Sequence, residues 1–144
     1  MQEQNLHKLL ASLYIFSLKI QNVHWNIEDK NFLSLHEYLG ELYGNISGSI
    51  DVIAELIRTK NVKVKANLTT FKTLSTITED MNELMITEES LRIILGDNYK
   101  ILALLIQCYN EAEEQTSLGI SNYLQDRIQE HEKIGWFLRS LIAQ

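Results

Sequence analysis

Four side chains in the first half of the chain are of the kind that hold a transition metal: His24, His36, Asp51 and Glu55. His24 lies in the stretch Asn22-Val23-His24-Trp25-Asn26, at the end of an otherwise apolar run, and His36 follows twelve residues later. Asp51 and Glu55 are four apart, which on a helix puts both carboxylates on one face. Their neighbours Ile50, Val52, Ile53, Ala54, Leu56 and Ile57 are apolar. Two carboxylates in such a setting repel each other unless a positive charge lies between them. Taken singly, acids four apart are more commonly a solvated stripe, and a histidine is more commonly a satisfied core or surface residue. Two imidazoles with two carboxylates and no thiolate suit a divalent transition metal such as Fe(II).

The elements that position these residues are long helices. The chain has 144 residues, no proline and six glycines, so nothing in its composition forces helices to break. Apolar residues three and four apart (Leu6, Leu9, Leu10, Leu13, Phe16, Leu18, Ile20, Val23) predict a first helix over residues 4–28. Phe32, Leu35, Leu39, Leu42, Ile46, Ile50, Ile53 and Ile57 predict a second over 32–58. The basic, unpatterned run from Thr59 to Asn67 reads as a loop, and the segment from Leu68 to Thr76 as a short helix within a long connection. Thr87, followed by Glu88 and Glu89, reads as the capping start of a third helix that runs to about Glu113. A fourth spans about Ser117 to Ala143. Four long amphipathic helices with a crossover between the second and third describe an all-α, ferritin-like four-helix bundle with a short extra helix in the long connection. Residues 1–144 read as a single such domain.

Helix geometry then restricts the metal reading. His36 and Asp51 share the second helix fifteen residues apart, about 22 Å at 1.5 Å per residue. One ion cannot touch both within one chain. Either the histidines and acids are unrelated, or a second copy brings its acids to the first copy's histidines, as a two-fold dimer with antiparallel second helices would do. A di-iron site inside one bundle normally shows Glu-x-x-His pairs. His7, His24, His36 and His131 all lack an acid three residues before them.

The same residues carry a family resemblance. The segment from Lys19 to Arg58 resembles the signature of the Dps miniferritins (DNA-binding proteins from starved cells) at Asn22, His24, Trp25, Asn26, Phe32, Leu35, His36, Tyr43, Asp51, Ala54, Glu55 and Ile57. The stretch from Glu130 to Leu141 is similar to the family's last helix. The resemblance implies a dodecameric homo-oligomeric shell. Ferroxidase sites at its two-fold interfaces would oxidise Fe(II) to Fe(III), preferably with hydrogen peroxide, and the ferric oxide would be stored inside to protect against oxidative damage. It assigns His24 and His36 to one subunit and Asp51 and Glu55 to its neighbour, and sets Trp25 beside the iron or in the dimer interface.

One position departs from the pattern. Many family members carry an acid four residues after the second histidine, where this chain has Gly40. An oxygen ligand is therefore missing near His36, with water as a possible replacement. The expectation is one firm iron position, held by His24, Asp51 and Glu55, and a weaker one near His36, so one or two ions per inter-subunit site. The alternative is a structural shell, or a DNA-associated Dps-like protein, with weakened ferroxidase activity.

Charge bears on partners. The formal net charge is −6, and twelve such chains would carry about −72, which opposes phosphate binding. Dps tails that bind DNA are lysine-rich, whereas the first helix here begins with Lys8 alone and the sequence ends at Gln144. DNA binding is expected to be weak or absent, with the loop holding Lys60, Lys63 and Lys65 as the one basic candidate. Glu111, Glu113 and Glu114 are candidates for an acidic pore, or simply solvent-facing acids. His131 is expected to pack or pair locally. Cys108, alone in an apolar run, reads as a buried hydrophobe, and a lone cysteine fits a reducing, cytoplasmic location. No apolar run is long enough to span a membrane.

Overall fold

A computed structural model describes residues 2–81 and 86–143. Five helices follow in order: α1 (Gln2–Asn26), α2 (Phe32–Thr59), α3 (Leu68–Leu74), α4 (Thr87–Glu114) and α5 (Leu118–Ile142). The four long ones match the sequence expectation to within a few residues, and α3 is the short helix of the long connection. The chain is an all-α four-helix bundle.

The core explains why α1 is apolar on so much of its surface. It packs against α2, α4 and α3. Leu6, Leu9, Leu10, Leu13, Phe16, Ile20 and Val23 are buried, and so are the polar Ser12, Ser17 and Lys19. Lys19 is tolerated there because its ammonium meets the buried Asp97 carboxylate of α4 at 2.6 Å. Desolvation nevertheless holds the Asp97 pKa above its ordinary value, with Lys19 pulling against it. α2 presents a narrower buried stripe, Leu35, Leu39, Leu42, Ile46, Ile53 and Ile57, and leaves its other side open.

The connection is tied down locally. The Asn67 side chain caps α3 by accepting the Thr70 amide at 2.8 Å. The Phe71 ring lies 4.7 Å from that of Tyr14, and the Thr76 amide donates to Ser12 Oγ at 2.9 Å. The start of α4 corrects one expectation. Thr87 is its first helical residue, and Ile86, whose side chain makes no capping bond, holds the cap position. The Thr87 hydroxyl hydrogen-bonds the Asp29 carboxylate instead, which fastens α4 to the turn between α1 and α2. The tight turn from α4 to α5 places Thr116 at φ 56°, the left-handed region.

Candidate metal centre

The hairpin between α1 and α2 brings the two histidines together. Residues 27–31 make the turn. The Asp29 carboxylate accepts the Asn31 amide at 2.8 Å, its backbone carbonyl accepts the Phe32 amide at 3.0 Å, and Ile27 is buried beneath. This sets His24, in the last turn of α1, against His36, in the second turn of α2. Their rings stack with centroids 3.9 Å apart and planes 10° from parallel.

Each ring also holds the other's backbone. His24 Nδ1 lies 2.7 Å from the His36 carbonyl oxygen, and His36 Nδ1 lies 2.8 Å from the His24 carbonyl oxygen. A carbonyl only accepts, so both Nδ1 atoms must carry the proton. In the neutral imidazole the lone pair then belongs to Nε2, and among the described residues neither Nε2 has a hydrogen-bond partner. Fixing Nδ1–H by a carbonyl is how proteins orient a histidine that binds metal through Nε2. Each lone pair lies in the plane of its own ring. Because the planes are nearly parallel, the two lone pairs cannot converge on one ion in this arrangement.

Phe32 stacks on His36 as well, with centroids 4.9 Å apart. Trp25, next to His24, points outward and is 64% exposed. Asp51 and Glu55 are exposed on α2 and form no ion pair or side-chain hydrogen bond among the described residues. They lie on the same helix as His36 and far along it, so one chain does not unite them with the histidines. No group of three or more His, Cys, Asp or Glu side chains able to hold a metal forms among the described residues.

The other polar residues divide clearly. His131 is fully buried. Its Nδ1–H donates to Asn98 Oδ1 at 2.8 Å, its Nε2 accepts from Arg127 at 2.9 Å, and its carbonyl accepts from Asn98 at 2.9 Å. Arg127 also donates to Asn45 Oδ1 at 2.8 Å, and Asn45 donates to Glu130 at 3.0 Å. This network joins α2, α4 and α5. Sequence reading placed His131 in local packing but had no means to see the network, whose members lie far apart along the chain. Burial, with Arg127 adding to it, pushes the His131 pKa down to about 3. Cys108 is buried, and desolvation followed by the Glu111 charge pushes its thiol up to about 12, so it is an inert packing residue. Of the three pore candidates, Glu111 is half-buried and accepts from Asn5 across to α1, while Glu113 and Glu114 are exposed. Lys60 donates to Ser117 Oγ at 2.7 Å, and Lys63 and Lys65 are exposed.

With this geometry in hand, known proteins are informative. Residues 3–144 match the ferritin-like domain family. A DNA protection during starvation protein of Bacillus anthracis is 29% identical over 139 residues, 96% of this chain and 94% of that one. The crystal structure of the Dps protein from Vibrio cholerae, which belongs to a broad superfamily of ferritin-like diiron-carboxylate proteins, superimposes with a TM-score of 0.93. It is 26% identical, and the match covers 98% of this chain and 88% of that one. This chain belongs to the ferritin-like family and is a Dps-type member of it. A low temperature-induced protein of Nostoc is also similar to this Dps-type chain, 28% identical over 95% of it and 77% of the relative. The Dps of Listeria monocytogenes, 18% identical, shares the fold with a TM-score of 0.95 over 99% of this chain and 94% of its own. Membership suggests iron binding and storage. No helix among the described residues is long and apolar enough to cross a membrane.

Proposed function

We propose that this Dps-type protein is an iron-storing miniferritin that oxidises Fe(II) at sites shared between two copies of the chain. His24 and His36 come from one copy, Asp51 and Glu55 from its neighbour, with Trp25 beside them. Fe(II) is the substrate and hydrogen peroxide the oxidant. Two Fe(II) ions give one electron each to one peroxide, whose O–O bond breaks, and with two protons the products are two Fe(III) and two waters. Pairing the electrons avoids releasing a hydroxyl radical. The homo-oligomer is a dodecameric shell that stores the ferric product in the cytoplasm.

One observation carries the reading: the reciprocal Nδ1–carbonyl lock, which leaves both Nε2 lone pairs unused on a half-exposed surface. The parallel planes favour two neighbouring iron positions over one. His24, with the neighbour's Asp51 and Glu55, forms the firm position, and His36 serves the weaker one. Gly44 and Gly48, on the side of α2 that also carries Asp51 and Glu55, have open space above them. A second copy's helix can therefore approach that side closely.

Gly40 favours one alternative, a shell of the same fold with weakened chemistry, because the second position lacks an acid. Anaerobic calorimetric titration with Fe(II), followed by peroxide addition under ultraviolet detection of ferric product, separates the two. The proposal expects one tight and one weaker iron per site and rapid ferric formation, both lost in the double variant His24→Ala, Asp51→Ala. Ferric formation no faster than in buffer would leave the shell alone. The net charge of −6 argues against a role in DNA compaction.

A further inference from the structure

Phe32, His36 and Gly40 follow one another at intervals of four along one face of α2. Phe32 and His36 each contribute a ring to that face, and Gly40 contributes nothing. The space is taken from outside, by His24 of α1. A β-carbon built on Gly40 would stand 2.9 Å from His24 Cε1, 3.4 Å from Nδ1 and 3.6 Å from Nε2. The first distance is closer than carbons pack. The ring is not free to swing aside, because its Nδ1 is bonded to the His36 carbonyl at 2.7 Å and its face is stacked on His36. His36 lies between two rings, Phe32 on one side and His24 on the other. Further along the helix, Gly44 and Gly48 have nothing within 4 Å of the same hypothetical atom. Gly40 is therefore not glycine merely because α2 is rich in glycine.

We propose that Gly40 is a positioning residue: its missing side chain forms the slot into which the His24 imidazole is set, and that slot fixes where His24 can present Nε2. The imidazole stands in the space beside Gly40, so a side chain at position 40 meets the locked His24 ring. The steric claim stands on the geometry alone. Its consequence for metal rests on the reading of His24 as a ligand.

The test compares unfolding midpoints of the full-length wild type, Gly40→Ala, His24→Ala and the double variant, with Co(II) as a spectroscopic probe. By helix propensity alone, alanine for glycine inside a helix raises the midpoint by about 3 °C or more. The expected result is that Gly40→Ala produces this rise in the His24→Ala background and produces no rise, or a fall, when His24 is present. The same rise in both backgrounds overturns the proposal. Gly40→Ala is also expected to weaken Co(II) binding roughly tenfold or more and to alter its visible band, with helicity and oligomer size unchanged. A wild-type affinity and band in Gly40→Ala overturns the positioning role. A wild-type Co(II) spectrum in His24→Ala overturns the ligand reading itself, and this outcome is separable because unfolding midpoints need no metal.

Discussion

His131 and the pair His24–His36 use the same side chain in one bundle for opposite ends. Both ring nitrogens of His131 are engaged, one donating to Asn98 and one accepting from Arg127, and the ring has no exposure to water. His24 and His36 each engage one nitrogen, with a backbone carbonyl, and among the described residues keep the other unused at the half-exposed hairpin. A histidine with both nitrogens satisfied inside the core has nothing left to offer a ligand, and its worth lies in holding three helices together. A histidine with Nδ1 pinned and Nε2 unused is oriented but not spent. Hydrogen-bond bookkeeping on the ring, more than burial alone, separates the structural histidine from the candidate ligands.

Exchanging alanine for each histidine in turn gives the largest test of this contrast. His131→Ala removes one core hydrogen bond each from Asn98 and Arg127 and opens a cavity, at a cost of roughly 3–5 kcal/mol. Iron uptake by the protein that remains folded should be unchanged. His24→Ala should do the reverse: a stability change within about 1 kcal/mol, and Fe(II) affinity down by roughly a hundredfold. Denaturant unfolding and anaerobic titration of the same two variants read both quantities. Comparable stability losses in the two variants would erase the distinction.

The pH dependence sharpens it. The folded-state pKa of His131 lies at about 3, far below the ordinary value of about 6.5. Between those values the unfolded chain binds a proton that the folded chain refuses, so stability falls as pH drops from about 6.5 towards 3 and levels off below. The slope from this group reaches about 1.4 kcal/mol per pH unit. Asp97 acts in the opposite sense: its raised pKa lets the folded state take up a proton first as pH falls, which offsets part of the loss near the acid end. Unfolding free energies of wild type and His131→Asn, measured from pH 7 to 4, isolate the histidine contribution. The variant curve should be flatter by that slope, and parallel curves would show that His131 is not held neutral.

Legibility from sequence followed the range of the interactions. The four long helices and α3 were readable because apolar spacing at three and four is a local property. The approach of His24 to His36 was readable because a short hairpin leaves few ways to pack. The separation of His36 from Asp51 was readable because it is a length along one helix. The ring stack, the crossed Nδ1 bonds and the filling of the Gly40 slot were not, since each depends on rotamers on two helices. Gly40 read in sequence as a lost ligand, whereas in the structure it is also a gained space. The cap of α4 was misread because Thr87 bonds across to Asp29, a partner nearly sixty residues away. Glu111 read as a pore or solvent-facing acid, and its partner Asn5, over a hundred residues distant, was not visible in sequence.

The smallest test concerns the frame that carries both kinds of histidine. Thr116 sits at φ 56° between α4 and α5, where a β-branched side chain is strained and glycine is not. The turn is otherwise well bonded: the Ser117 amide donates to the Ala112 carbonyl at 2.8 Å and the Gln115 amide to Glu111 at 3.1 Å. Thr116→Gly should therefore relieve strain without loosening the turn, for a net gain of about 1 kcal/mol once glycine's extra unfolded-state freedom is subtracted. Because α5 carries His131 and Arg127 and neither candidate metal histidine, the gain should appear in the unfolding midpoint and leave Fe(II) affinity untouched. A shift in both would mean that the α4–α5 turn and the α1–α2 hairpin are mechanically coupled through the core, and that the two uses of histidine are less independent than their hydrogen bonds indicate.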